Sequence, residues 1–375
     1  MQTSARSALL LVFTALAATL LLACSSAGGD SVGVATLDEA MARGPHGVGV
    51  TTLELVDTSR AIEPNGDYPG ASERTLVTEV WYPAGPATEQ PEGRDAPVAS
   101  DDGPYPLVVF AHGFGSMRTL SASYTQHLAS HGYVVAVPDF PETNLAAAGG
   151  IRAGALTNQP GDVSFVIDSL LELNGEEGSL FAGAIDPEQI GLTGHSWGAQ
   201  TTLLTIFGEL RDERIDAAMP IAPAGCAIDS ELVGDVSVPL LIMGGSLDLL
   251  FRPINVRHAY EQAHSPRYLV NIIGANHSNF ADIGIDDAVA LSFVGASPPP
   301  ESGEEAEQYE GILGCGADPV DDEPLLDPER QRELSRIYAV AFFDAYLRDS
   351  DDAKSLLQDT LATSIDEAQV EFDAE

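Results

Sequence analysis

Residues 190–204 of the chain read IGLTGHSWGAQTTLL, a pattern that predicts a strand, a tight turn and a helix in succession. It contains a short apolar run, a serine with a glycine two positions away on either side, and then apolar residues at helical spacing. Glycines are needed around such a serine because a tight turn from a strand into a helix brings the backbone close to its neighbours. The turn lifts the hydroxyl clear of the sheet at a helix N-terminus, so the stretch predicts that Ser196 is a nucleophile.

The remainder of the chain alternates between short apolar runs and segments of helical period, which is typical of a sheet covered by helices. The predicted strands are 48–56, 76–82, 107–110, 133–137, 190–192, 217–221, 240–243 and 268–273. The predicted helices are 121–130, 162–173, 199–210, 256–263 and 328–348. The first two strands alternate apolar and polar residues, as an antiparallel edge pair does, whereas the others are largely apolar, as strands buried on both faces are. We therefore predict an α/β fold with a mostly parallel central sheet, helices on both faces and antiparallel N-terminal edge strands.

A serine hydroxyl becomes a good nucleophile only when a base removes its proton. The predicted base is His277, which stands in a loop directly after the apolar run 268–273. That loop lies at the carboxyl end of a predicted strand, and Ser196 is expected at the same edge of the sheet. The other histidines fall in or near predicted helices, beside the nucleophile, near the N-terminus or in a loop with a separate role.

The base in turn needs a carboxylate that accepts its second ring N–H and stabilises the imidazolium. Asp248 is predicted for this role because it follows the apolar run 240–243 and precedes the histidine in the chain. Asp235 comes before that run and Asp282 comes after the histidine, so these two carboxylates are the weaker competitors. The predicted catalytic residues, in chain order, are Ser196, Asp248 and His277.

The tetrahedral intermediate of acyl transfer needs two N–H donors for its oxyanion. One predicted donor is the backbone N–H of Trp197, the residue after the nucleophile. The other is the backbone N–H of Phe114, in the glycine-containing loop 112–116 that follows the predicted strand 107–110. A plain turn at the end of that strand is the alternative interpretation. The aromatic rings of Phe114 and Trp197 are also expected to line an apolar acyl pocket.

The N-terminus has the composition of an export signal. Residues 1–6 are polar with one positive charge, and residues 8–23 are apolar or small, which is shorter than the roughly 20 residues a membrane-spanning helix needs. The segment 21–24, LLAC, followed by SSAGG, resembles a bacterial lipobox. The resemblance implies cleavage before Cys24, lipid on Cys24, a flexible tether over 24–45, and anchoring of an exported protein on the periplasmic or cell-surface side of a bacterial membrane. An ordinary signal peptide with an incidental cysteine is the alternative.

The chain is strongly acidic, with 57 Asp and Glu against 17 Lys and Arg and a formal net charge of −40. Such a charge argues against nucleic acid as a partner and indicates a well solvated surface, suited to a saline environment. Of the three cysteines, Cys24 is assigned to lipid. The remaining pair, Cys226 and Cys315, is predicted to form a disulfide in an oxidising compartment, and two buried free thiols are the alternative.

Taken together, these residues resemble the platelet-activating-factor acetylhydrolase and dienelactone-hydrolase-like branch of the α/β-hydrolases, near the bacterial polyester hydrolases. The resemblance spans about residues 46–350 and rests on the motifs EVWYP at 79–83, HGFG at 112–115, HLASHGY at 127–133, GHSWG at 194–198, GGSLD at 244–248, GANH at 274–277 and AFFDAYL at 341–347, together with 162–170. It implies the α/β-hydrolase fold and hydrolysis of short or oxidised acyl esters, including phospholipid esters, with no cofactor and no metal.

The predicted organisation is a signal peptide over 1–23, lipidated Cys24 and a tether over 24–45, a hydrolase domain over 46–350, and an acidic C-terminal tail over 351–375. The Pro, Gly and Glu-rich segment 296–326 is interpreted as an acidic insertion and a candidate lid. The predicted activity is hydrolysis of short-acyl or phospholipid-type esters through an acyl-enzyme, acting on a small-molecule or lipid ester near a membrane, with the oligomeric state left open. The alternatives are a general esterase or polyester hydrolase, a peptidase that shares the triad chemistry, and a catalytically inactive lipid-anchored binding protein.

Overall fold

The computed structural model describes residues 33–86, 92–100, 102–284, 287–290 and 323–374. Within these ranges we find no helix with the length and apolar character needed to cross a membrane. The predicted signal peptide, Cys24, Cys315 and most of the acidic insertion lie outside the described residues.

The described residues are organised around a ten-stranded sheet. Its strands are β1 His46–Asp57, β2 Arg74–Pro86, β3 Glu92–Arg94, β4 Tyr105–Ala111, β5 Val134–Pro138, β6 Ile185–His195, β7 Ala217–Ile221, β8 Leu240–Gly245, β9 Arg267–Ile272 and β10 Ala368–Asp373. Their order across the sheet is β10-β9-β8-β7-β6-β4-β5-β2-β1-β3. The pairs from β5 through β9 are parallel, whereas β1 with β2, β2 with β5, and β9 with β10 are antiparallel. The predicted α/β architecture, with antiparallel N-terminal strands, is confirmed.

Helices cover the sheet on both faces because its central strands are apolar on both faces. Strands β4, β5, β7 and β8 are buried along their whole length. The helices are α1 Leu37–Met41, α2 Ala122–Ser130, α3 Gln159–Gly175, α4 Trp197–Phe207, α5 Ser230–Val233, α6 Pro253–Gln262, α7 Pro328–Tyr346, α8 Asp351–Ser355 and, after a π-helical turn at Leu356–Leu361, α9 Ala362–Ser364. Residues of α2, α7 and α8 pack in one hydrophobic core and residues of α3, α4 and α6 in the other.

Strand β4 is the point at which the sheet changes its direction of growth. The chain adds β5 on one side of β4 and then returns to add β6 on the other side. At such a point the connections from two neighbouring parallel strands run in opposite directions across the sheet. The two loops therefore separate, and a crevice opens between them at the carboxyl edge of the sheet. The loop after β4 and the turn after β6 both leave at this edge, so the fold places the predicted oxyanion loop beside the predicted nucleophile.

The structure corrects the predicted acidic tail at 351–375. Residues 351–364 are helical, and Ala353, Leu356, Leu357 and Leu361 are buried in the core on one face of the sheet. Strand β10 then pairs with β9 and becomes an edge of the sheet. The acidic residues that suggested a tail lie on the outer side of an apolar face, so this segment belongs to the folded domain.

The predicted flexible tether over 24–45 is wrong for residues 34–41, which are folded. Helix α1 begins with a capping box formed by Thr36 and Glu39, and Ala40 is fully buried. The backbone N–H of Val34 donates to the carboxylate of Asp344 in α7 at 2.7 Å. These contacts hold residues 34–41 against the folded domain. The free energy gained from helix capping and apolar burial there exceeds the conformational entropy that the segment loses when it is ordered.

Candidate active site

Ser196 lies in the turn between the last residue of β6 and the first residue of α4. Its backbone adopts φ 61° and ψ −118°, a conformation that non-glycine residues rarely adopt. The neighbouring glycines are sterically required, because a Cβ at Gly194 would lie 2.4 Å from the carbonyl oxygen of Gly198, and a Cβ at Gly198 would lie 1.9 Å from that of Ala111. The N–H of Ser196 donates to the carbonyl of Ile221 at 2.9 Å, which holds the turn against β7.

The structure brings the side chains of Ser196, His277 and Asp248 into one hydrogen-bonded row. His277 Nε2 lies 2.8 Å from Ser196 Oγ, and His277 Nδ1 lies 2.8 Å from Asp248 Oδ2. The exposed fractions of the three residues are 8%, 3% and 0% respectively, so bulk water competes little for these bonds. The competing carboxylates do not join the row: Asp235 is exposed before β8, and Asp282 bonds to Ser123.

The row has a defined polarity. A carboxylate oxygen only accepts, so Nδ1 of His277 carries the proton and Nε2 presents a lone pair to the serine hydroxyl. Asp248 also accepts the backbone N–H groups of Leu250 at 2.8 Å and Phe251 at 2.7 Å. Complete burial raises the pKa of Asp248, and the neighbouring His277 and the N–H of Phe251 oppose that rise by favouring the ionised form. Burial by itself lowers the pKa of His277, but the carboxylate of Asp248 and its hydrogen bond outweigh burial and raise that pKa above its usual value.

His195 supports the imidazole of His277 from one side, a role that the sequence analysis did not assign. The two rings lie 4.7 Å apart, and His195 Nε2 lies 3.0 Å from the carbonyl oxygen of His277, so it donates to that oxygen. Burial, together with the neighbouring His277, lowers the pKa of His195 well below its usual value, which keeps it neutral. Phe251 contacts the imidazole with its ring at 5.3 Å in an edge arrangement.

The loop after β4 places a peptide group beside the serine. A Cβ at Gly113 would lie 3.2 Å from Cβ of Ser196, so this backbone is in contact with the nucleophile. His112 Nδ1 donates to the carbonyl of Gly113 at 2.8 Å, and His112 Nε2 accepts the N–H of Phe140 at 3.1 Å. Because the C=O and N–H of a trans peptide point in opposite directions, the His112 bond fixes the direction of the Phe114 N–H.

The predicted oxyanion donors are both unpaired within the described residues: no protein acceptor is found there for the N–H of Phe114 or of Trp197. Trp197 is the first residue of α4, and the N–H groups of a first helical turn have no partner within the helix. The rings of Phe114 and Trp197 lie 4.5 Å apart. They belong to a small apolar cluster, whose buried members are Leu156, Trp197, Ala224 and Phe251.

Cys226 lies beside this apolar cluster, in the short 3₁₀ turn Gly225–Ala227 after β7. It is disulfide-bonded. Its predicted partner Cys315 lies outside the described residues, so the pairing of these two cysteines stays a prediction. In the described ranges no group of three or more His, Cys, Asp or Glu side chains has the arrangement of a metal site.

Comparison with known proteins finds similarity in sequence to proteins that are named acetylhydrolases. Residues 75–152, which include β2 and the loop after β4, match the family model described as platelet-activating factor acetylhydrolase, isoform II. The platelet-activating factor acetylhydrolase of Cavia porcellus is 22% identical over 219 residues, 48% of this chain and 48% of that protein. Its counterpart from Canis lupus familiaris is 24% identical over 233 residues, 51% of each. The chain thus matches about half the length of these curated relatives.

A solved structure extends the similarity to most of the fold. The ferulic acid esterase from Streptomyces cinnamoneus superposes with a TM-score of 0.60 at 23% sequence identity, covering 87% of this chain and 96% of that one. This similarity establishes the α/β-hydrolase fold. The sequence matches and the structural match agree with the branch that the motifs resemble, that of the platelet-activating-factor acetylhydrolases and related esterases.

Proposed function

We propose that this chain is a serine carboxylic ester hydrolase that cleaves short-acyl or phospholipid-type esters through an acyl-enzyme. The observation that carries the proposal is the row of two 2.8 Å contacts from Asp248 through His277 to Ser196, with the Gly113 backbone against the serine. A hydroxyl, a base and an orienting carboxylate in this arrangement are what nucleophilic acyl transfer requires.

In the acylation step, Ser196 Oγ attacks the ester carbonyl carbon while its proton passes to Nε2 of His277. The electron pair of the carbonyl moves to its oxygen, which accepts the N–H groups of Phe114 and Trp197. Asp248 stabilises the imidazolium that forms. When the intermediate collapses, the bond to the alcohol oxygen breaks, Nε2 gives its proton to that oxygen, and the acyl group stays on the serine.

In the deacylation step, water takes the place of the alcohol. His277 removes a proton from the water as its oxygen attacks the acyl carbon, and the oxyanion forms again at the same two N–H groups. Collapse of this second intermediate breaks the bond to Ser196 Oγ, which recovers the proton from Nε2. The products are a carboxylic acid and the free enzyme, and the chain's own residues carry every proton.

Support for short acyl groups comes from the apolar surroundings of the serine and from the relatives. The rings of Phe114 and Trp197 pack against each other with centroids 4.5 Å apart, so no acyl chain lies between them. The relatives that match are named acetylhydrolases, and an acetyl group is a short acyl group. A general esterase or polyester hydrolase would use the same chemistry, so the substrate class needs a direct comparison.

The catalytic proposal is tested with a fluorophosphonate probe, which labels an activated serine. We expect labelling of the unaltered chain and none of Ser196→Ala. Ser169→Ala is the matched control, because the Ser169 hydroxyl donates to the Phe165 carbonyl within α3 and Ser169 is not part of the row. Absence of labelling in the unaltered protein would favour the alternative of an inactive binding protein.

The substrate proposal is tested by comparing kcat/KM for a short-acyl phospholipid, p-nitrophenyl butyrate and a polyester film. We expect the phospholipid and the butyrate to be hydrolysed, with kcat/KM falling as the acyl chain of the phospholipid is lengthened. Attack on the film alone would overturn the lipid proposal while leaving the triad chemistry intact.

We also propose export and lipid anchoring through Cys24, on the strength of the lipobox-like segment before it. Inhibition of lipoprotein signal peptidase should leave unprocessed precursor, and Cys24→Ala should move the protein from the membrane fraction to the soluble fraction. Normal processing under the inhibitor would contradict the anchor.

A further inference from the structure

A second carboxylate, Asp287, lies directly behind the catalytic row. It follows His277 by ten positions and is 3% exposed. No role of Asp287 was predicted, because nothing in its local sequence distinguishes it from the many other acidic residues of this chain.

Asp287 joins the loop of the acid to the loop of the base. Its Oδ2 accepts the backbone N–H of Leu249 at 3.2 Å, in the loop after β8, and that of His277 at 3.0 Å, in the loop after β9. Its Oδ1 accepts the N–H of Ser278 at 2.8 Å. Leu249 is the neighbour of Asp248, so one buried carboxylate holds the backbone next to the acid and the backbone of the base itself.

We propose that Asp287 is a positioning residue for the proposed ester hydrolysis, which clamps the acid loop and the base loop together and adds a second negative charge behind the imidazole of His277. The expected effect of Asp287 on kcat/KM rests on the proposed function. The structural part of the proposal, a carboxylate that bridges two loops, stands on the three hydrogen bonds alone.

A carboxylate suits this clamp better than any neutral side chain. Three N–H groups converge on two oxygens, and only an ionised carboxyl group accepts at both oxygens without carrying a hydrogen of its own. Bonds from N–H groups to a buried carboxylate are about twice as strong as neutral ones. An amide in the same place would turn an NH₂ group toward at least one of the three donors, so the clamp would open on one side.

The charge of Asp287 also acts on the base. The ionisable groups that face His277 are Asp248, Asp287 and the neutral His195. Burial lowers the pKa of His277, Asp248 raises it most among the charged groups, and Asp287 raises it further. Loss of the Asp287 charge should therefore lower the pKa of His277 and move the onset of activity to lower pH.

The test compares Asp287→Asn with Asp282→Asn. Asp282 lies five positions before Asp287 in the chain and its replacement removes the same charge, but its oxygens accept the N–H and hydroxyl of Ser123 in α2 and pair with Arg332 in α7 rather than with any group of the triad loops. Two quantities are followed against pH: the imidazole NMR signals of His277, which need no substrate, and kcat/KM for p-nitrophenyl butyrate.

For Asp287→Asn we expect the NMR titration of His277 to move to lower pH, and the acidic limb of the kcat/KM profile to move with it. The plateau that kcat/KM reaches above this limb should fall by about tenfold or more, because a small displacement of the base slows proton transfer. Asp282→Asn should leave the titration of His277 in place. An unchanged titration and an unchanged plateau in Asp287→Asn would overturn the proposal.

Asp287→Glu separates geometry from charge, because it keeps the charge and moves the oxygens. We expect a lower plateau with a titration close to that of the unaltered protein, and full activity would contradict the clamp.

If both variants fail to fold, amide hydrogen exchange of the unaltered protein decides: slow exchange at Leu249, His277 and Ser278 supports the clamp, and fast exchange overturns it. If the unaltered protein hydrolyses no ester, the proposed function fails, yet the NMR titration and the exchange rates still test Asp287.

Discussion

His277 Nε2 lies 2.8 Å from Ser196 Oγ, although 81 positions separate the two residues in the chain. The contact forms because the turn after β6 and the loop after β9 leave the sheet at the same carboxyl edge, and because His195, the neighbour of the serine, holds the carbonyl of His277 at 3.0 Å. Ser196 and His277 are thus coupled through the neighbouring His195 as well as through their own side-chain hydrogen bond.

The strained backbone of Ser196 predicts how two substitutions at this position differ in stability. At φ 61° and ψ −118° a Cβ is unfavourable, whereas glycine adopts such a conformation readily. Ser196→Ala and Ser196→Gly should both abolish ester hydrolysis, since each removes the hydroxyl. Ser196→Gly, however, should be more stable than Ser196→Ala by about 1 kcal/mol, in spite of the usual entropic cost of glycine. Urea denaturation of both variants measures the difference, and a less stable glycine variant would contradict strain at this turn.

The raised pKa of His277 predicts the pH dependence of activity. The base must be neutral to accept the serine proton, so kcat/KM should fall as the pH drops through a value above the ordinary histidine pKa. Protonated His277 also contributes stability, which is fully present below the pKa of an unfolded histidine and is lost as the pH rises through the raised folded value.

Asp248→Asn tests the cause of that raised pKa. Burial of the imidazole remains after the change while its main opposing charge is gone, so the acidic limb should move to lower pH and kcat should fall by roughly 10⁴-fold. Asp235→Asn is the control, because Asp235 is exposed before β8. An acidic limb that stays in place in Asp248→Asn would show that this carboxylate does not act on the base.

His112 is predicted to act on the oxyanion donor without touching the substrate. Its bond to the Gly113 carbonyl fixes the direction of the Phe114 N–H, so His112→Ala should lower kcat by about 10²-fold and change KM much less. His127→Ala is the matched control: His127 makes a similar buried bond to the Ala40 carbonyl at 3.0 Å, which joins α2 to α1 rather than to the site. It should lower the thermal midpoint and leave kcat unchanged, whereas equal kcat in both variants would remove His112 from the mechanism.

Most of the strands that were predicted from sequence have residues that are nearly all apolar because both faces of the strand are buried. The strand predicted at 217–221 matches β7 Ala217–Ile221, because a strand covered on both faces is apolar throughout. Strand β10 was missed, since Gln369, Glu371 and Phe372 are exposed there and the strand forms only because β9 offers an open edge. Its partner lies about a hundred residues away in the chain, which no local pattern reports.

The same distinction holds for the site. Ser196, Asp248 and His277 were predicted because each follows an apolar run, and residues that follow parallel strands share the carboxyl edge of the sheet. His112, His195 and Asp287 were not assigned supporting roles, because each acts on a backbone carbonyl or N–H group. Every residue carries those groups, so the sequence holds no signal that marks the partner of such a bond.

A buried ion-pair network provides the last prediction, which concerns stability. Arg74 is 2% exposed and donates to Asp162 through two nitrogens, at 2.9 and 2.8 Å, and to Glu142 at 2.7 Å. It thereby joins β2 to α3 and to the loop after β5, which also holds Gly115 of the oxyanion loop through the Thr143 carbonyl. Arg74→Met leaves two buried carboxylates with fewer partners, so it should lower the free energy of unfolding by about 3–5 kcal/mol.

The control for Arg74→Met is Arg257→Met, which breaks an ion pair with Glu371 on the surface. The side chains of Arg257 and Glu371 are 39% and 53% exposed. Water already solvates both charges there, so the loss should be no more than about 1 kcal/mol. Urea denaturation of the two variants at neutral pH gives both values. Because Asp162 and Glu142 can take up protons once Arg74 is gone, the deficit of Arg74→Met should shrink as the pH is lowered toward the range in which carboxylates titrate. A deficit for Arg74→Met that is as small as that for Arg257→Met would mean that the network contributes no more than a surface pair does.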